Sequence, residues 1–253
     1  MAVKPYNLLA THYDTLFPIA RSWGAAARER LLDAIVLESK SACDLACGTG
    51  TTAIEMAQLG LKVYAVDQSP VMCELARKKA KQARAAVTVI QGDMRRFRLP
   101  EPVDIVTCEF DAINHVPKKS DLAAVAASAA RALNPGGHFY FDANNRLAFE
   151  ETWPLTWRIE KPGLVVIMQG LHEEGTDVAH STAEFFIRRG KLWERHLELV
   201  QEVCWTRKEI HDTLRAAGFD SIRTWDASRF FPPESMIARR HRTIYLARKK
   251  RQA

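Results

Sequence analysis

The run C-D-L-A-C-G-T-G at 43–50 spaces Asp44, Ala46, Gly48 and Gly50 as D-x-A-x-G-x-G. Apolar residues precede it and helix-forming residues follow, so the glycines fall in a strand-to-helix turn. Glycine there removes the Cβ that would hold a ligand off the backbone, and the helix start offers N–H groups to an anionic group. Asp67 lies 23 residues beyond Asp44, at the end of the next apolar run, where its carboxylate can accept from both hydroxyls of a ribose. Gly92-Asp93-Met94 then pairs an acid able to accept from an exocyclic adenine amine with an apolar side chain able to lie on the ring. Together these are the parts of an adenosine cradle. Gly48 to Ala53 also satisfies the dinucleotide fingerprint G-x-G-x-x-A, so a nicotinamide-dependent oxidoreductase competes with other readings.

A second group follows a later apolar run, Cys108-Glu109-Phe110-Asp111-Ala112-Ile113-Asn114-His115. His115 titrates near neutrality and can take a proton from an ammonium or a hydroxyl. His196, in W-E-R-H-L-E-L, either points into an acceptor pocket or sits on the surface.

These residues need a frame that brings strand ends together. Apolar stripes and breakers give a helix over 22–37, strands at 41–46, 61–66, 87–90, 103–108 and 138–141, and helices at 51–59, from Ser69-Pro70, and at 120–133. The last of these helices is ended by the breaker Asn134-Pro135-Gly136-Gly137. Such alternation predicts right-handed crossovers and a parallel sheet covered on both faces. After Asn145 the texture changes to four β-prone runs separated by Lys161-Pro162-Gly163, Glu173-Glu174-Gly175 and Arg189-Gly190, an antiparallel meander. The parallel pattern is then expected to resume with a capping box at Thr206 and Glu209, and with strands at 221–224 and 241–247. The expected fold is α/β, a doubly wound, mostly parallel seven-stranded sheet with an inserted antiparallel lid. The expected units are a core with an N-terminal helical cap at 1–148, the insertion at 149–203, and the rest of the core at 204–253.

The chain has 253 residues, 47% hydrophobic and 26% charged, enough to bury a core. No run approaches the roughly 20 apolar residues of a membrane span, and the N-terminus lacks a leader pattern, so a cytoplasmic protein without membrane contact is expected. The five cysteines show neither a disulfide framework nor paired metal-ligand spacing, and no metal is expected. The net charge of +6 comes from 77–84, 239–242 and 248–251. Without interleaved aromatics these read as a solvated helix face and a frayed basic tail, which disfavours nucleic acid as a partner.

D-L-A-C-G-T-G at 44–50, V-Y-A-V-D at 63–67, Q-G-D-M at 91–94 and A-L-N-P-G-G at 132–137 resemble, in order, the motifs of class I S-adenosylmethionine-dependent methyltransferases. The likeness covers most of the chain outside the insertion. It implies that Ala46, Gly48 and Gly50 face the methionine portion of the cofactor, that Asp67 binds ribose, that Gln68 flanks adenine, and that Asp93 and Met94 hold the base. Ala46 departs from the commoner glycine, which bears on cofactor position and affinity. Glu109 would meet the cofactor's ammonium or stand as a loop acid. The segment F-D-A-I-N-H, with Tyr13-Asp14 ahead of the core, is similar to small-molecule methyltransferases that N-methylate sugar amines. In that group the matching tyrosine and histidine lie beside the transferring methyl, which implies catalytic roles for Tyr13 and His115.

The expectation is therefore methyl transfer to nitrogen or oxygen of a small-molecule acceptor, with the insertion roofing the acceptor site and its exposed sheet offering a homodimer face. Trp153, Trp157, Phe185, Trp193 and Phe230 would line that site or form its core. The D/N-P-P-Y signature of many nucleic-acid amino-methyltransferases is absent, C-E-F-D standing in its place, which weakens an RNA substrate. A cofactor-binding protein that transfers nothing is the non-enzymatic alternative.

Overall fold

A computed structural model describes residues 8–17, 20–230 and 240–251. Helices α1 (Leu8–Leu16) and α2 (Ala20–Glu38) lead into β1 (Ser41–Leu45), α3 (Thr51–Gln58), β2 (Lys62–Asp67), α4 (Pro70–Gln82), β3 (Val87–Gln91), β4 (Val103–Cys108), α5 (Lys119–Ala132) and β5 (Leu133–Asn144). An inserted sheet follows, β6 (Thr156–Lys161), β7 (Leu164–His172), β8 (Val178–Arg189) and β9 (Leu192–Val203). Then come α6 (Arg207–Ala216), β10 (Phe219–Asp226) and β11 (Arg242–Lys249). Local chemistry sets several boundaries. Ser69 caps α4 by accepting from Met72 N with Pro70 in the first turn, and Thr206 and Glu209 form a reciprocal capping box on α6.

The main sheet runs in the order β10-β11-β5-β4-β1-β2-β3. β1, β2, β3, β4 and β5 are parallel to their neighbours within that set, and the buried runs Ala42 to Leu45 and Val63 to Asp67 are what a sheet covered on both faces requires. Two sequence expectations need correction. The parallel pattern does not simply resume, because β11 inserts antiparallel between β5 and β10. Nor does Asn134-Pro135-Gly136-Gly137 separate α5 from β5. Leu133 already pairs with Val103, and the register then jumps to Ile105 opposite His138, so the breaker bulges within the strand.

Apolar layers lie on both faces of the sheet, one with Leu45, Val106, Phe139, Phe141, Leu122 and Ile210, the other with Leu32, Met56, Val63, Ile105, Tyr140 and Ile244. All five cysteines are buried thiols. A third cluster joins Leu9 and Leu16 of α1 to Val166, Phe185 and Ile187 of the inserted sheet. The buried Glu198 carboxylate on β9 accepts from the N–H groups of Leu8 (2.6 Å) and Leu9 (3.4 Å), so the insertion caps the start of α1. Among the described residues no helix is long and apolar enough to cross a membrane.

Candidate active site

A cavity of about 810 Å³ opens at the carboxyl edge of the parallel strands. It is lined by Ala46, Gly48, Asp67, Gln68, Gly92 and Met94 on one side and by Tyr13, Phe17, Phe110, His115, Asp142 and Arg242 on the other. None of β6 to β9 lines it, which corrects the expected roof: the insertion supports α1, and α1 covers the cavity. None of the five aromatics expected to line the site or form its core lines the cavity, and Trp153 and Phe230 pack against buried clusters. Phe185 is core, and Trp157 and Trp193 are exposed. His196 sits beside Glu194 at the surface, so its pocket reading fails.

The glycine turn is shaped by backbone conformation. Gly48 (φ +53°) and Gly50 (φ +81°) are left-handed, and so is Ala46 at φ +56°. A Cβ on Gly50 would lie 3.0 Å from Ala76 Cβ, so this glycine also permits α3 to approach α4. Ala46 carries a side chain in a conformation glycine adopts without penalty, a local strain that a sequence alone does not reveal. Gly48 donates its N–H to Asp67 Oδ2 (2.9 Å) and Ser69 donates to Oδ1 (2.8 Å), binding the turn to the end of β2. Burial raises the Asp67 carboxyl despite these bonds, which oppose it.

Three further predicted ligands, like Asp67, are engaged by the protein itself. Asp44 accepts from Ala53 N (3.1 Å) and Thr107 Oγ1 (3.1 Å), so it braces the first turn of α3. Burial, reinforced by Glu109, pushes its carboxyl up to about 7. Glu109 lines the cavity, while Arg28 on α2 donates to both its oxygens and Thr52 donates to Oε2 at 2.8 Å. Asp93 does not line the cavity, because its carboxylate turns to Arg95, which donates from Nε at 2.9 Å and Nη2 at 2.6 Å. The short reach from Asp93 to Arg95, two residues on, outcompetes the cavity.

The opposite wall is built on unusual backbone. Phe110 (φ +65°) and Asp111 (φ +53°) are consecutive left-handed non-glycine residues. Asp142 at the end of β5 holds them, accepting from Phe110 N (2.6 Å) and Asp111 N (3.1 Å). Arg242 bridges Asp111 and Asp142 and stacks 4.8 Å from the Phe110 ring centroid. The basic-tail reading is therefore wrong for Arg242, which is 9% exposed. Arg239, in the same basic run, lies outside the described residues.

Tyr13 packs against Phe17 and Phe110 at ring-centroid distances of 5.2 and 6.2 Å. Burial, then the charge of Asp111, raises its phenol, so Tyr13 is neutral. Asp14 beside it accepts from Thr49 Oγ1 and Lys79 Nζ, both at 2.8 Å, tying α1 to the glycine turn. His115 lines the cavity, and burial lowers its pKa, leaving a neutral imidazole. Behind it the buried Glu202 of β9 is raised well above the usual carboxyl range by burial and by Asp111. No motif in the sequence points to Arg28, Glu202 or Arg242 as parts of this wall. Asp142, an acid closing the apolar run F-Y-F, does carry a local signal, which the sequence reading missed.

The cradle suits an adenosyl sulfonium. A Cβ built on Gly48 would meet nothing within 4 Å, and Thr51 and Thr52 in the first turn of α3 line the cavity, whereas Gly50 packs against Ala76 and does not. Residues 42–137 match the methyltransferase domain family. The chain is 27% identical over 225 residues to the candidate methyltransferase YqeM of Bacillus subtilis, covering 86% of this chain and 87% of that protein. It is 34% identical over 128 residues to the dTDP-4-amino-2,3,4,6-tetradeoxy-D-glucose N,N-dimethyltransferase of Saccharopolyspora spinosa, covering 49% of this chain and 50% of that one. A crystal structure of an S-adenosylmethionine-dependent methyltransferase from Clostridium acetobutylicum superposes with a TM-score of 0.79 at 21% identity, over 97% of this chain and 99% of that one. Residues 42–137 thus carry a methyltransferase domain, and the likenesses in sequence and fold are to methyltransferases, S-adenosylmethionine-dependent ones among them. Its cofactor is S-adenosyl-L-methionine, and the dinucleotide reading of the glycine turn gives way.

Proposed function

We propose that the enzyme methylates nitrogen or oxygen of a small-molecule acceptor, an amino sugar being the first class to try. The carrying observation is that one cavity joins the glycine turn to Tyr13 and His115. The partial likeness to an amino-sugar N,N-dimethyltransferase supports the acceptor class. When bound, S-adenosylmethionine supplies an electrophilic methyl carbon for in-line attack. The protein's part is to align the acceptor, exclude water and accept a proton.

In this reading Ala46, Gly48 and Gly50 adjoin the methionine portion, Asp67 the ribose, and Gln68 and Met94 the adenine. Asp44, Asp93 and Glu109, which already have protein partners, keep the cradle in shape. Tyr13 orients the acceptor through its neutral hydroxyl, and His115, neutral at physiological pH, takes the acceptor's proton.

Calorimetry with S-adenosylmethionine, S-adenosylhomocysteine and NAD tests the cradle. The adenosyl thioethers are expected to bind and Asp67→Ala to weaken them at least tenfold, about 1.4 kcal/mol. Unchanged affinity in Asp67→Ala would sink the ribose role. Turnover on a panel of amines, hydroxyl compounds and RNA, compared with His115→Ala, then tests the acceptor and the base. Methylation of RNA alone would overturn the small-molecule reading.

A further inference from the structure

The two faces of the inserted sheet differ in what covers them. One carries Val166, Phe185 and Ile187, packed against Leu9 and Leu16 of α1. Side chains alternate along a strand, so the residues between these stand on the reverse face. There the strand register sets Val165 beside Phe186, Ile167 in the next row with Leu197, and Leu199 and Leu171 in the two rows beyond, while Trp193 stands opposite Arg188 at the other end. Leu171, Trp193 and Leu199 are 61%, 49% and 50% exposed. Among the described residues none of these apolar side chains joins a hydrophobic cluster. A contiguous apolar face of this kind marks an interaction surface.

The charges on the same face indicate what fits it. Arg158 pairs with Glu160 at 2.7 Å, and Arg195 pairs with Glu184. With Arg188 the face holds three arginines against two glutamates, close to balance on a chain of net charge +6. An anionic partner such as nucleic acid would find no basic field there. A second copy of the chain meets an apolar stripe like its own, with charges already answered, and Arg188 at the end of the sheet can keep its head in water. The size also suits. Strands β8 and β9 have 12 residues each, about 40 Å, and four strands span roughly 15 Å, so the face offers on the order of 600 Å² per copy. Stable interfaces begin at about 1,200 Å² in total, or about 600 Å² from each partner.

We propose that this outer face is a homodimer interface, two copies stacking sheet on sheet about a two-fold axis. The dimer face expected from the sequence thereby gains a definite side, the one turned away from α1. The same sheet then does two things: its inner face holds the helix that covers the cavity, and its outer face joins the copies. None of the interface residues lines the cavity.

Sedimentation equilibrium of the full chain tests this at roughly 1 to 100 µM, which brackets the weak end of Kd for interfaces of this size. Wild type is expected at twice the chain mass. Leu171→Glu/Leu199→Glu puts carboxylates into the apolar stripe of both copies and should weaken association at least about a hundredfold. Leu37→Glu on α2, at 87% exposure and away from the insertion, should leave it unchanged. A wild-type circular dichroism spectrum shows that the double variant has folded, and should it fail to fold, Trp193→Glu alone carries the comparison. A wild-type chain that stays monomeric at the highest concentration overturns the proposal, some other partner or segment then covering the face. A dimer that survives the substitutions on the face overturns it as well. So does equal weakening by Leu37→Glu, which would make the loss a general effect of added charge.

Discussion

Arg28 Nη1 lies 2.9 Å from Glu109 Oε1 and 2.6 Å from Oε2, joining α2 to the end of β4 across the cavity wall. Both side chains are nearly buried, at 9% and 11% exposure. Removing one partner leaves a charge in the wall without its counter-ion. Arg28→Ala is expected to cost about 3 to 5 kcal/mol in urea denaturation, whereas the paired replacement Arg28→Met/Glu109→Leu should cost much less. Equal losses in the two variants would show that packing, not charge pairing, matters there.

Ala46 at φ +56° is the strained point of the turn. Ala46→Gly removes that strain but makes the unfolded chain more flexible, so the net gain should be about 0.5 to 1 kcal/mol. Ala46→Val, β-branched in the same conformation, should instead lower stability. Thermal midpoints of the two variants moving in the same direction would refute the assignment of strain.

Gly170 on β7 lies against Trp153, where an added Cβ would stand 1.9 Å from the Trp153 carbonyl oxygen. Backbone cannot yield as a side-chain tip does. Gly170→Ala should therefore destabilise the chain by about 2 to 3 kcal/mol and loosen the docking of Trp153 beside Phe149. Tryptophan fluorescence and the denaturation midpoint together report this, and a wild-type midpoint would contradict it.

Asp44 gives a pH dependence with a definite sign. Its carboxyl is held up to about 7 in the folded chain against an ordinary value of 3.8, burial being the main cause. Between those values the native chain binds a proton that the unfolded chain has lost. Stability from this group is therefore complete below about pH 4 and lost as pH rises through about 7. The loss is on the order of 4 kcal/mol at most. Asp44→Asn should flatten the fall in urea midpoint between pH 4 and 7, and a parallel fall in the variant would assign the dependence to other groups.

Local chemistry makes much of the molecule legible in its sequence. The Ser69-Pro70 cap, the Thr206 and Glu209 box, the glycine turn, and the alternation of apolar runs with helical stripes each involve residues a few positions apart. Their order along the chain is enough to expect a mostly parallel sheet, an antiparallel insertion and an adenosyl cofactor. Tertiary structure decides what lies between distant segments. It pairs Arg28 with Glu109, draws Arg242 out of a basic tail into the space between Asp111 and Asp142, and sets Glu202 of the insertion behind His115. It also reverses β11 and forces Ala46, Phe110 and Asp111 into left-handed backbone. Buried charges choose partners by proximity in the folded chain, and strained backbone persists only where distant groups hold it, so neither leaves a periodic or short-range trace in sequence.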